Sequence, residues 1–529
     1  MSADSKSAAV VNPAPLHPLL TGGDEYPFVK LERRRRELQP AQLATINFGM
    51  GDPREETPGF IREALVKHVP VVSSYPATIG KSELRAACAK WLERRHGVKL
   101  DPDVHVLPAN GLKEAIFNMA LAVVDPAGPK KTVVIPTPAY PVYEGGARFA
   151  GAEPYFAPLR SEDGWRFNPS RVPGEVWART ALLWLNSPQN PTGSVLTAEA
   201  GAAIVALARR HGFWVVSDEA YCDLYFEGGP PPTLLAHGLD NVLAMYTLSK
   251  RSAMTGYRSG FIAGDARVMD ALRRFRPSVG AATPDFIQDA AIAAWNDDAH
   301  TGEQRAKYAA KRSLFLAEFA RRGWKTEASE ATFYLWMKVP AGTDESFCES
   351  LLKLGIVVTP GSYLGPGGEG FVRWALVPTL AQCRDAIERM QALACAAPLR
   401  LAPRPPSSRP RATRWRAGRR SSRAAGPASW RSKHPSCAAP SRARSPRSTP
   451  ATCASPRRRT LRAASGRRTP GSRRRSSSTS ACASPSRCSP ATSSSSTRCR
   501  SRRTSRAPAC AWCRPAWRAT AASWRRASS

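Results

Sequence analysis

The chain predicts an α/β fold, a largely parallel sheet covered on both faces by helices. Short apolar runs alternate with amphipathic helical stretches from residue 104 onward, the pattern of strands buried between helices. Successive runs end in a glycine, amide, carboxylate, aromatic or lysine residue, as expected where a sheet delivers its carboxyl ends to a ligand.

Residues 26–38 join Tyr26-Pro27-Phe28 to a charged run, Glu32 to Glu37, and read as an arm with a short exposed helix. Ile46 to Phe48 are apolar and lead into Gly49-Met50-Gly51-Asp52-Pro53, a turn that lets backbone approach a partner closely. Thr57-Pro58 reads as an N-cap with proline at the first helical position, opening a helix to about His68. Ser74-Tyr75-Pro76 and Gly80 separate it from a helix that starts at Ser82, sets Leu84, Ala87, Cys88, Trp91 and Leu92 on one face, and stops at Gly97. Residues 104–107 are expected as a strand, Asn110-Gly111 as a turn and 112–124 as an apolar helix. Strand, glycine turn and helix start make an anion site, because free N–H groups and the positive dipole end point forward. There is no Walker lysine motif and no G-x-G-x-x-G, which argues against nucleoside phosphates and dinucleotides.

The strand at 132–135 ends in Pro136-Thr137-Pro138-Ala139-Tyr140-Pro141, which holds a ring on a stiff loop. The strand at 181–185 ends in Asn186-Ser187-Pro188-Gln189-Asn190-Pro191-Thr192-Gly193. A helix at 198–211 leads to the strand 213–216, which ends in Ser217-Asp218-Glu219-Ala220-Tyr221. The strand 242–246 runs into Ser249-Lys250, with Arg258 eight residues on.

Composition divides the chain. The segment 396–529 carries 32 Arg and one Lys and no Asp, Glu, Ile, Val, Phe, Tyr, Met, Asn or Gln. Removing those 33 from the 77 basic residues leaves 44 against 42 acidic ones, so residues 1–395 are nearly neutral while the whole chain is +35. A segment of Arg, Ser, Pro and Ala cannot bury enough apolar surface to offset the entropy of ordering, and is expected to be disordered. Its composition matches GC-rich DNA translated out of frame; the other reading is a basic tail held on nucleic acid by phosphate neutralisation. Five cysteines precede it at no ligand spacing, as expected of buried free thiols in a reducing compartment. Cys510-x-x-Cys513 has no second pair to complete a metal site. No leader pattern and no membrane-length apolar run is visible, so a cytoplasmic protein is expected, with no membrane partner.

Gly111, Tyr140, Asn190, Asp218 with Tyr221, and Lys250 end successive strands, and at one sheet edge they form a single constellation. It suits a small phosphorylated aromatic aldehyde held on Lys250, since a desolvated amine near other cations becomes nucleophilic. Asp218 would keep a ring nitrogen protonated, Asn190 and Tyr221 would donate to a phenolic oxygen, and Tyr140 would cover one ring face. Ser249 and Arg258 would complete the phosphate shell at the start of the Gly111 helix.

Asn190-Pro191-Thr192-Gly193, Asp218-x-x-Tyr221 and Ser249-Lys250 with Arg258 resemble the signature of fold-type I pyridoxal-phosphate enzymes of the class I/II aminotransferases, over about residues 26–394. The resemblance implies a large domain with a mostly parallel seven-stranded sheet between helices, plus a smaller α/β domain. It implies pyridoxal 5′-phosphate as cofactor, amino acids and 2-oxo acids as substrates, and no metal. Lys250 becomes the cofactor lysine and proton-transfer base, Asp218 the partner of the ring nitrogen, and Asn190 and Tyr221 those of the phenolic oxygen. Gly111 and Leu112 bind phosphate through backbone, while Tyr75 reaches the phosphate of a neighbouring subunit, which makes the protein a homodimer. Arg373, in Phe371-Val372-Arg373-Trp374-Ala375-Leu376, stands where the family keeps its α-carboxylate arginine, and Gly51 lines the substrate side.

The expected division is 1–45 as arm and part of the small domain, 46–290 as the large domain, 291–395 as the small domain closing over substrate, and 396–529 as tail. Thr247-Leu248-Ser249-Lys250-Arg251-Ser252 with Arg258-Ser259-Gly260-Phe261, Ala293-Ala294-Trp295-Asn296-Asp297 and Pro360-Gly361-Ser362-Tyr363-Leu364 resemble bacterial N-succinyldiaminopimelate aminotransferase, which uses glutamate as amino donor in lysine synthesis. The alternatives within the fold are aspartate, alanine or aromatic aminotransferases or a carbon-sulfur lyase, because loops set side-chain pockets. A regulator using the basic tail on DNA is the alternative of another class; no helix-turn-helix pattern supports it.

Overall fold

A computed structural model of the chain describes residues 14–21, 25–280 and 282–395. The expectations for the segment 396–529, including the cysteine pair, lie outside these residues.

Seven strands form the central sheet in the order Val106–Ala109, Gly260–Gly264, Val242–Thr247, Trp214–Asp218, Thr180–Asn186, Thr132–Thr137 and Glu153–Pro158. All neighbours pair in parallel except Gly260–Gly264, which runs antiparallel to both of its own. Six of the seven are buried along nearly their whole length, as a sheet covered on both faces requires. Side-chain alternation sorts Thr180–Asn186 between two cores. Leu183 and Leu185 pack with Leu84 and Trp91 of the helix Ser82–His96 and with Ile204 of Ala198–His211. Leu182 and Trp184 pack with Ile116 and Met119 of Leu112–Val123 and with Leu272 of Ala266–Val279.

A second sheet orders Thr359–Pro360, Phe371–Ala375, Tyr334–Lys338 and Thr326–Glu327, all antiparallel. Its apolar face meets the helices Ala299–Arg321, Asp344–Leu352 and Leu380–Cys395 around Phe315, Phe319, Leu351 and Trp374. Ile46–Asn47 pairs in parallel with Ile356–Val357, and Phe48 joins this second core. Backbone bonds from the Ile46 N–H to the Gly355 carbonyl and from the Phe48 N–H to the Val357 carbonyl fix the register.

Local differences have local causes. The strand expected at 104–107 begins at Val106, because Asp101 caps a helical turn, Pro102–His105, by accepting from the Asp103 N–H at 2.8 Å, with Pro102 preset for a first turn. Thr57 does not cap the helix Gly59–His68; its hydroxyl donates to the Ala253 carbonyl at 2.7 Å. Gly97 ends Ser82–His96 in the left-handed conformation as expected. Cys88, Cys222, Cys348 and Cys383 are free and buried. Among the described residues no helix is long and apolar enough to cross a membrane, and no cluster of His, Cys, Asp and Glu could hold a metal ion.

Candidate active site

The carboxyl ends of the central strands open on a cavity of about 520 Å³. Gly51, Leu112, Tyr140, Asn190, Asp218, Tyr221, Ser249, Lys250, Arg258 and Arg373 all line it. They come from positions spread over more than three hundred residues, and the topology brings them to one edge.

Lys250 sits on a four-residue helix, Leu248–Arg251, that follows directly from the buried strand Val242–Thr247. Thr247 caps that turn by accepting from the Ser249 N–H at 3.1 Å. The Lys250 amine donates to the Gly51 carbonyl at 2.5 Å and lies 5.7 Å from the centre of the Phe333 ring. Burial pushes its pKa down to about 8, with Arg373 and Arg258 adding to the shift and Asp52 and Asp218 opposing it. That amine is neutral and nucleophilic far more often than a surface lysine.

Asp218, the last residue of its strand, is buried, and burial drives its pKa upward. Two donors oppose this: the Tyr143 hydroxyl at 2.7 Å from Oδ2 and the Ala220 N–H at 3.1 Å from Oδ1. Asn190 lies in a buried loop whose Asn186 side chain accepts from the Asn190 N–H at 2.7 Å and donates to the Asp218 carbonyl at 2.8 Å. Tyr221 shares a hydrogen bond with Tyr334 at 3.1 Å between hydroxyls.

Gly111 precedes the helix Leu112–Val123 at φ +76°, and a β-carbon there would fall 2.1 Å from Arg258 Nη2, so only glycine admits the guanidinium. Arg258 itself is left-handed at φ +54°, uncommon for a non-glycine residue, and donates to the Thr255 carbonyl at 2.8 Å. Gly51 is equally constrained, since a β-carbon would lie 1.9 Å from the Tyr334 hydroxyl. Arg373 is 2 % exposed. Its Nη1 donates to Asn190 Oδ1 at 3.1 Å and its Nη2 to the Gly49 carbonyl at 2.5 Å and Thr359 Oγ1 at 3.3 Å, while its buried Nε has no protein acceptor. Tyr75 is outside the cavity, fully exposed, in a segment where Val66, Val69, Val71 and Val72 are exposed as well.

Sequence reading missed several residues here. Tyr143 follows Tyr140 by three residues, and its N–H donates to the Tyr140 carbonyl at 3.2 Å where the loop enters the helix Val142–Phe149, so one turn brings both to the wall, a spacing that could have been used. Asn186 ends a recognised strand, the same signal that singled out Asp218. Tyr334, Tyr26 and Lys113 had no local signal; the Lys113 amine stands 5.5 Å from the centre of the Tyr26 ring at the cavity wall.

These residues fit a phosphorylated pyridine aldehyde. Among the described residues a buried carboxylate lacks a cation at ion-pair distance and Arg373 keeps a donor without an acceptor, while a lysine is tuned toward neutrality and a glycine turn and Arg258 meet at a helix N-terminus. Fold and site together define an α/β protein with a buried lysine at the carboxyl edge of its sheet. Residues 44–390 match the family described as aminotransferase class I and II, and the chain belongs to that family. Its members use pyridoxal 5′-phosphate to transfer amino groups, and this chain is a pyridoxal-phosphate-dependent aminotransferase.

The chain is 37 % identical over 374 residues to LL-diaminopimelate aminotransferase 2 of Trichormus variabilis, covering 69 % of this chain and 95 % of the relative. It is similar to an aminotransferase crystal structure from Neisseria meningitidis, at 35 % identity and a TM-score of 0.67, over 72 % of this chain and 100 % of that one. It is also similar to a probable N-succinyldiaminopimelate aminotransferase from Thermus thermophilus, at 28 % identity and a TM-score of 0.64, over 69 % and 99 %.

Proposed function

We propose that the enzyme moves an amino group between one end of a diaminopimelate-type diamino diacid and a 2-oxo acid, with unmodified LL-diaminopimelate as the amino-bearing substrate. The observation that carries this reading is the fourth cation of the cavity. Lys250, Arg258, Arg373 and Lys113 line it, and Lys113 alone of these has neither a backbone carbonyl partner nor a carboxylate among the described residues. A substrate with a second carboxylate needs such a group.

Bound pyridoxal phosphate supplies an electron sink for the pair left at the substrate α-carbon when its proton departs. Lys250 would carry the cofactor and, once displaced by substrate, would take the α-proton and return it on the far side of the substrate's amino nitrogen, two atoms away. Asp218 would face the ring nitrogen and hold it protonated, with the Tyr143 hydroxyl and the Ala220 N–H stabilising the carboxylate. Asn190 and Tyr221 donate to the phenolic oxygen, and Tyr140 covers the ring. Ser249, Arg258 and the backbone of Gly111 and Leu112 hold the phosphate. Arg373 pairs with the α-carboxylate, beside the Gly51 backbone. Tyr75 belongs to the site of a second copy, and the exposed valines around it support a homodimer. The large domain then runs from about 49 to 290, with 46–48 and 291–395 in the small domain and the arm before them.

The N-succinyl form is the second reading, supported by the likeness to the Thermus thermophilus protein. Its sequence basis is weaker, because Trp295 and Tyr363 lie outside the cavity wall. The test is absorbance of the cofactor-loaded protein titrated with LL-diaminopimelate, N-succinyl-LL-diaminopimelate, glutamate, aspartate and phenylalanine. Rapid conversion by LL-diaminopimelate and glutamate supports the reading; conversion only by the succinylated compound selects the second. Conversion only by aspartate or phenylalanine discards both.

A further inference from the structure

Two motifs of the sequence, Ser249-Lys250-Arg251-Ser252 and Ala294-Trp295-Asn296-Asp297, prove to be one structure. Arg251, next to Lys250, turns away from the cavity and is 2 % exposed. Its Nε donates to Asp223 at 2.6 Å, its Nη1 to the Ala294 carbonyl at 3.1 Å and its Nη2 to Asp298 at 3.2 Å. Its guanidinium lies 4.8 Å from the Trp295 ring centre and 5.4 Å from that of Trp91, cation-π distances. Asp223 also accepts from Arg95 at 3.1 Å. Ser252 meets His300 at 2.8 Å, and His300 meets Asp297 at 2.6 Å.

A four-residue helix has no stability of its own, because nucleation costs more than one turn returns. What fixes Leu248–Arg251 is therefore its anchorage. The Lys250 side chain adds one hydrogen bond, to the Gly51 carbonyl, and that bond must break whenever the amine reacts. Arg251 supplies the permanent anchor, and Asp223 is five residues beyond Asp218 on the segment that also carries Tyr221. One buried pair thus joins the backbone that presents the lysine to the backbone that presents the carboxylate.

We propose that Arg251 is a positioning residue that sets Lys250 relative to Asp218, through Asp223 and the Trp91–Trp295 clamp. The inference rests on the assignment of Lys250 and Asp218 given above. Displacing a reacting group by about 1 Å can cost 100-fold in rate, so Arg251→Lys, which keeps the charge and loses the planar fork, should lower kcat by about 10- to 100-fold. KM should change less than about threefold, since Arg373 is untouched.

The experiment compares wild type, Arg251→Lys and Asp298→Asn as full-length, cofactor-loaded protein, with kcat and KM, melting temperature and visible circular dichroism of the bound cofactor. The expected result is a fall in kcat graded from Asp298→Asn to Arg251→Lys, with an altered dichroic band. Because the Asp298 side chain is 45 % exposed, its variant decides the matter if Arg251→Lys does not fold. Wild-type kcat and an unchanged dichroic band in both variants, with only the melting temperature lowered, overturns the proposal and leaves Arg251 a structural residue. Absence of a cofactor band in wild type would instead overturn the assignment of Lys250.

Discussion

Replacing Arg373 by lysine tests the carboxylate site on a count of donors. A guanidinium carries five N–H donors and an ammonium three. The protein already presents three acceptors to this side chain, Asn190 Oδ1, the Gly49 carbonyl and Thr359 Oγ1. Arginine meets them and keeps two donors, one of them the buried Nε that has no acceptor in the protein. Lysine would spend all three. A substrate carboxylate then loses two charge-assisted hydrogen bonds, each worth roughly 1.5–3 kcal/mol, while the attraction of the retained positive charge offsets part of that. A net loss of about 3–4 kcal/mol corresponds to a fall in kcat/KM of roughly 100- to 1000-fold. Because the bond is made in ground and transition states alike, most of it should appear in KM. Steady-state kinetics of Arg373→Lys against glutamate measures this, with Arg373→Lys melting temperature as control. A kcat/KM within threefold of wild type would refute the donor count and the assignment of Arg373.

Two further predictions follow from pKa shifts. Loading of apo-protein with pyridoxal phosphate requires a neutral Lys250 amine, so its rate should rise about tenfold per pH unit below 8 and level off above it, given the pKa of about 8; stopped-flow loss of the free aldehyde absorbance measures it, and a rise continuing past pH 10 would contradict the shift. Glu219 is buried behind the site, with Oε1 accepting from the Leu234 N–H at 3.0 Å and Oε2 without a partner, and burial pushes its pKa up from 4.5 to about 7. Between those values the native state holds a proton that the unfolded chain releases, so stability falls as pH rises through the window, by roughly 3 kcal/mol in all. Glu219→Gln should therefore flatten the pH dependence of urea unfolding between about pH 4.5 and 7, and an unchanged slope would show that Glu219 does not titrate there.

Much of this site could be read from the sequence because each residue stands at the end of an apolar run, where topology leaves little choice of position. Asp218 and Lys250 are such cases. What was missed depends on approach between distant segments. Tyr143 reaches Asp218 from a helix seventy-five residues earlier, and Tyr334 reaches Tyr221 from the second sheet; the spacing from Tyr140 places Tyr143 near the wall without naming its partner, and no local pattern marks Tyr334. The strand Gly260–Gly264, antiparallel within a parallel sheet, reads locally as a small-residue loop because two glycines bound it. Ile46–Asn47 pairs with Ile356–Val357, a partner that two residues alone do not identify. The cap at Asp101 prevailed over strand propensity at Val104 through one hydrogen bond and a proline.

The proposed chemistry stands on Lys250 holding the cofactor. Borohydride reduction of the pyridoxal-phosphate-loaded protein, followed by peptide mass spectrometry, tests it without reference to any substrate. The expected result is a stable phosphopyridoxyl adduct on the peptide containing Lys250, and none in Lys250→Ala. An adduct on another lysine, or one that persists in the Lys250→Ala variant, would contradict it.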